Sequence, residues 1–73
     1  MPLLDQVEEF QASMNKVLEL VEETKGLAGQ ISDVSLAEAP GKMRAIFDLC
    51  AEAITGLQNA TSQAEDIQRT LGG

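Results

Sequence analysis

Between Leu3 and Leu71 the sequence carries two apolar ladders that mirror each other about a short run of helix-breaking residues. The first is Leu3, Val7, Phe10, Met14, Val17, Val21, Thr24, Ala28, Ile31, and the second is Met43, Ile46, Cys50, Ala53, Leu57, Ala60, Ala64, Ile67, Leu71. Steps of three and four alternate along both, the rhythm of a helix packed along one seam. Nothing in the sequence reads as a strand. The ladders predict an all-α chain, folded as a single domain into an antiparallel two-helix hairpin with coiled-coil-like packing.

Local signals place the elements. Pro2 suits the first turn of a helix, where its missing N–H has no partner to lose. Asp5, Glu8 and Glu9 then put negative charge at the positive end of the helix dipole. Gly26 and Gly29 each weaken a helix by roughly 1 kcal/mol relative to alanine, so either is a candidate stop. Ala28 and Ile31 nevertheless keep the rhythm beyond them, and the first helix is expected over about 3–30. Residues 31–41 form the turn. Within them Ser35 and Glu38 have the spacing of a capping box, and Pro40-Gly41 is a breaker pair. Two arrangements fit: a short helical turn from Leu36 bent at Pro40, or a second helix beginning cleanly at Pro40. Val34 and Leu36 are expected to fold over the end of the hairpin. The second helix is expected over about 42–70, with Glu65 and Arg69 as an i,i+4 ion pair and Gly72-Gly73 as its stop.

The mirror symmetry predicts a register. Leu3 falls opposite Leu71, Phe10 opposite Ala64, Met14 opposite Ala60, Val21 opposite Ala53 and Thr24 opposite Cys50. Large residues meet small ones, which fills space without voids. Leu18, Leu20 and Leu27 on the first helix, and Phe47, Leu49 and Ile54 on the second, are left outside the ladders. A lone hairpin would leave them in water. Association with a second copy, as a twofold dimer forming a four-helix bundle, is therefore expected through Leu20, Leu27, Phe47 and Ile54. The alternative occupant is a helix of another protein.

Composition narrows the function. Twelve acidic against five basic residues give a net charge of −7, which repels phosphate and anionic lipid, so neither nucleic acid nor a membrane is expected as partner. A single cysteine makes no intrachain disulfide, and without histidine a structural zinc site is not expected. The start, MPLLDQVEEF, lacks the pattern of a secretory signal, and the uncharged run 53–64 is too short to span a bilayer. A cytoplasmic protein is expected.

No group of residues reads as catalytic. Glu19, Glu22 and Glu23 lie opposite the ladder and read as a solvated face rather than a metal site. Cys50 has no histidine to activate it and reads as a small core residue. Lys25, Lys42 and Arg44 read as mixed-charge surface beside Asp33 and Glu38, and Met14 and Met43 as core filler. The diglycine end is shared with ubiquitin-like carriers, yet those have a β-grasp body. An enzyme is not expected, nor is a cofactor. The expected role is protein–protein contact of a structural, adaptor or regulatory kind.

In size and layout the chain also resembles the small helical hairpins of type VII secretion and the needle subunits of type III secretion. The second likeness includes the proline-bearing turn, here Pro40. The Trp-x-Gly turn motif of the type VII hairpins is missing, since the chain has no tryptophan. The resemblance is one of shape and implies a secreted or self-assembling hairpin.

Overall fold

A computed structural model describes residues 2–72. Helix α1 spans Leu3–Gln30 and helix α2 spans Ala39–Gly72; a 3-10 turn at Ile31–Asp33 follows α1. The helices pack antiparallel into a rod with extents of 55 × 14 × 14 Å. The fold is an all-α helical hairpin.

Pro2 is the N-cap residue of α1, in an extended conformation, and its carbonyl accepts the N–H of Gln6 at 3.2 Å. The helix passes through Gly26 and Gly29, and the Ile31 N–H then closes on the Ala28 carbonyl. Val34 is extended, with ψ of 155°, and turns the chain away from the axis of α1. Ser35 starts the return. Its hydroxyl accepts the Glu38 N–H at 3.3 Å and donates to the Glu38 carboxylate at 3.1 Å, while its carbonyl accepts the Ala39 N–H at 2.9 Å. A capped turn at 36–38 leads into α2, which begins at Ala39 and runs unbroken through Pro40, so the turn from Leu36 is present without the bend and the helix starts one residue before Pro40. Pro40 falls in the first turn of α2, where a missing N–H costs least. Leu36 does not fold over the end of the hairpin. It is 93% exposed, and Val34 alone of the pair is half-buried.

The seam is rotated by one residue from the one expected. Phe10, Val17, Thr24 and Ile31 do face inward, as do Ile46, Ala53, Ala60 and Ile67. Between them, the inward positions are Leu20 and Leu27 on α1, where Gln6 and Ser13 share half-burial with Val7 and Met14, and Lys42, Leu49, Gly56 and Gln63 on α2. Val21, Ala28, Met43, Cys50, Leu57, Ala64 and Leu71, all expected in the core, are exposed. The register moves with the rotation. Val17 meets Gly56 rather than Leu57, so closely that a Cβ on Gly56 would lie 2.9 Å from Val17 Cγ2. One turn further along, Asn59 Nδ2 donates to Ser13 Oγ at 3.5 Å.

The physical reason is close approach. Ser13, Gly56 and Ala60 let the two backbones come near, and the bulk of Val17 and Leu20 fills the space between them. A seam through Met14 and Leu57 would hold the helices apart at the same level. Among the described residues the buried apolar ones are Val17, Leu20 and Ala60, so the core is thin and central. Toward the open end it becomes polar. The Oε1 atoms of Gln6 and Gln63 are buried there without a hydrogen-bond partner, at a cost of order 1 kcal/mol each.

The surface ion pairs are local. Glu22 pairs with Lys25 at 3.8 Å, and Arg44 with Asp48 at 3.7 Å. Arg69 bonds Asp66, one turn back, rather than Glu65. Gly72 is still helical, so the expected stop is not there, and Gly73 lies outside the described residues.

Candidate functional site

The rotation sorts the remaining side chains by side. Because the helices are antiparallel, advancing one residue from each seam position turns 100° toward the same side of the hairpin on both helices. The residues that follow the seam are Val7, Met14, Leu18, Val21 and Ala28 on α1, and Met43, Phe47, Cys50, Ile54, Leu57 and Ala64 on α2. Gln11, Lys25, Thr61 and Gln68 are the polar interruptions. The residues that precede the seam go to the opposite side. There stand Asp5, Glu9, Lys16, Glu19 and Glu23 from α1, with Asp48, Glu52, Thr55, Asn59 and Asp66 from α2. Shallow grooves across this second side are lined by residues of both helices, one by Gln6, Glu9, Gln63 and Asp66, another by Ala12, Ser13, Lys16, Gly56 and Asn59. One side is apolar and the other acidic.

The apolar side is widest on the turn half of α2. Phe47 is 71% exposed, Ile54 57%, Met43 50% and Leu57 46%. Pro40, Met43, Phe47 and Cys50 line an open groove there, with Ile46 at its floor and the Arg44–Asp48 pair at its edge. On α1 the exposed large residues sit nearer the open end and the middle: Leu4, Leu18 and Val21. Ten large apolar side chains are exposed among the described residues, against two buried ones, Val17 and Leu20, and six of the ten, Leu18, Val21, Met43, Phe47, Ile54 and Leu57, lie on the apolar side. Contiguous exposed apolar surface is a general mark of interaction sites.

The expected interface residues divide evenly. Phe47 and Ile54 lie on the apolar side. Leu20 does not: at 6% exposure it is one of the three buried residues. Leu27 is half-buried in the seam two turns further on, and Leu49 is half-buried opposite them. The side chains that replace them on the surface are Val21, Met43, Cys50 and Leu57, which the ladder spacing places in the core. The signal for them was present as apolar spacing, because a ladder one residue out of phase has the same period.

The other chemical candidates are dispersed. Cys50 is a free, exposed thiol and does not face Thr24, whose hydroxyl donates to the Leu20 carbonyl of its own helix at 2.6 Å. Glu19, Glu22 and Glu23 are exposed, and among the described residues no group of three metal-ligating side chains comes together. Lys25 and Arg44 are engaged by Glu22 and Asp48, so the basic residues near the turn do not form a common anion site. No described helix is long and apolar enough to cross a membrane.

Comparison with protein-family models, with curated proteins and with solved structures gave no match for the chain.

Proposed function

We propose that the protein is a non-enzymatic protein–protein interaction module that works through the apolar side of its hairpin. In this reading two copies bring those sides together and form a four-helix bundle of structural, adaptor or regulatory use. The observation that carries it is the stripe through Met43, Phe47, Cys50, Ile54 and Leu57, exposed along the turn half of α2 and continued on α1 by Leu18 and Val21. A hairpin with three buried apolar residues has little stability of its own. Covering the stripe adds a second core, at roughly 25 cal/mol per Å² of apolar surface.

The charge supports a protein partner over the other classes. A net charge of −7 repels nucleic acid and anionic membranes, and the acidic side keeps the assembled bundle in solution. An exposed, unpaired thiol suits a reducing compartment, in keeping with a cytoplasmic protein.

Sedimentation equilibrium tests the reading. A mass of two chains at micromolar concentration is expected. Phe47→Glu with Ile54→Glu should return one chain while the far-ultraviolet circular dichroism stays helical. A wild-type protein that remains a monomer at high micromolar concentration overturns the reading. An open-ended series of larger species would favour a self-assembling hairpin instead. Leu20 does not probe this surface, because a charge at that buried position would break the hairpin itself.

A further inference from the structure

The sequence carries two seams, and the hairpin uses one of them. Both contain Phe10, Val17, Thr24 and Ile31 on α1, and Ile46, Ala53, Ala60 and Ile67 on α2. They differ at every alternate position. Successive residues stand about 100° apart round a helix, so passing from one seam to the other turns each helix by half of that, about 50°. Leu20, Leu49 and Gly56 leave the interface by that turn, and Val21, Cys50 and Leu57 enter it.

The two halves of the hairpin favour different seams. Near the turn the observed seam holds Leu20, Leu27 and Leu49, where the other would hold the smaller Val21, Ala28 and Cys50. Burial there follows one phase only, with Leu20 buried and Val21 exposed. Toward the open end the observed seam holds Gln6, Ser13 and Gln63, where the other would hold Val7, Met14 and Ala64. That exchange would release the Oε1 atoms of Gln6 and Gln63, which are buried without a partner. Burial on α1 is accordingly divided: Gln6 and Val7 are both half-buried, as are Ser13 and Met14. One helix thus keeps a single phase near the turn and lies between the two phases near the open end.

Gly56 decides the middle. A Cβ at Gly56 would lie 2.9 Å from Val17 Cγ2, whereas nothing lies within 4 Å of a Cβ at Gly26, Gly29, Gly41 or Gly72. This close approach belongs to the observed seam alone. In the other, Val17 faces Leu57, the helices stand further apart, and position 56 turns toward the side of Glu52 and Asn59. Packed interfaces pass between discrete arrangements of this kind rather than deforming continuously.

We infer that the hairpin has a second folded state, wider than the first, with each helix turned about 50° onto the alternate seam, and that the Val17–Gly56 contact is the latch holding it in the narrow one. The turn sets how much apolar surface the hairpin presents, because it takes Val21, Cys50 and Leu57 out of water and puts Leu20 and Leu49 into it. Gly56→Leu removes the latch, and alkylation by a small maleimide reads the turn at two thiols on opposite sides of the seam. One is Cys50 in the otherwise native chain; the other is introduced by Leu20→Cys on a Cys50→Ala background. Each is measured with and without Gly56→Leu, beside circular dichroism. The chain should stay helical, with Cys50 reacting about tenfold slower and the Leu20→Cys thiol about tenfold faster. Opposite shifts are the signature of rotation. Two thiols that both react faster, or a loss of helicity, show only unfolding and overturn the inference. Two unchanged rates place the bulk of Gly56→Leu within the narrow seam and overturn it equally. A shift confined to one thiol is local repacking or altered association, and overturns it as well.

Discussion

The two long sides of the hairpin are built from the same two helices and differ by a turn of 200° about each axis, yet they have opposite chemistry. Residues that precede the seam are Glu9, Lys16, Glu23, Glu52, Asn59 and Asp66; residues that follow it are Val7, Met14, Val21, Phe47, Ile54 and Leu57. Water can satisfy the first set without help. Exposure of the second set to water costs free energy. The seam between them decides which residues fall on which side, and a rotation by one residue would exchange core and surface.

The largest effect is expected on the apolar side. Phe47→Glu with Ile54→Glu removes two large apolar contacts and introduces two charges. Association should weaken by about a thousandfold, ~4 kcal/mol, with helicity largely kept; sedimentation and circular dichroism read both. The seam is the next point of attack. Gly56→Ala sets a methyl group against the stiff Val17 side chain. Overpacking costs about 1–3 kcal/mol, and the ~1 kcal/mol gained in helix propensity offsets part of it, so urea denaturation should show a net loss of about 1 kcal/mol. Gly26→Ala and Gly29→Ala sharpen that contrast. Nothing lies within 4 Å of a Cβ at either position, and each should gain about 0.5–1 kcal/mol. The smallest effect belongs to the acidic side. Glu9→Gln with Glu52→Gln should leave stability within about 0.5 kcal/mol and association unchanged; a shift in dimer affinity comparable to that of Phe47→Glu would put the interface on the wrong side.

The hairpin itself was legible in the sequence, because Pro40, Gly41 and the Ser35 cap interrupt two long stretches of one period. The rotation of the seam was not. Phe10, Val17, Thr24 and Ile31 belong both to the true seam and to the ladder one residue out of phase, as do Ile46, Ala53, Ala60 and Ile67. Apolar content then favours Met14 and Leu57 over Ser13 and Gly56, and spacing alone carries no term for how near two backbones can come. The same shift explains the exposed stripe. Phe47 and Ile54 stand outside both ladders and were recognisable as surplus, whereas Leu20 and Leu27 looked surplus only because Val21 and Ala28 had been given their places. Met43, Cys50 and Leu57, taken for core, are the middle of the exposed stripe.

Cys50 reports, without any substitution, on whether association covers the apolar side. It is the one thiol in the chain, is exposed in the isolated hairpin, and sits between Phe47 and Ile54. Its rate of alkylation by a small maleimide, measured across protein concentration, should fall in step with the dimer mass seen by sedimentation. A thiol that reacts equally fast in monomer and dimer would contradict the account, because the copies would then be meeting somewhere else.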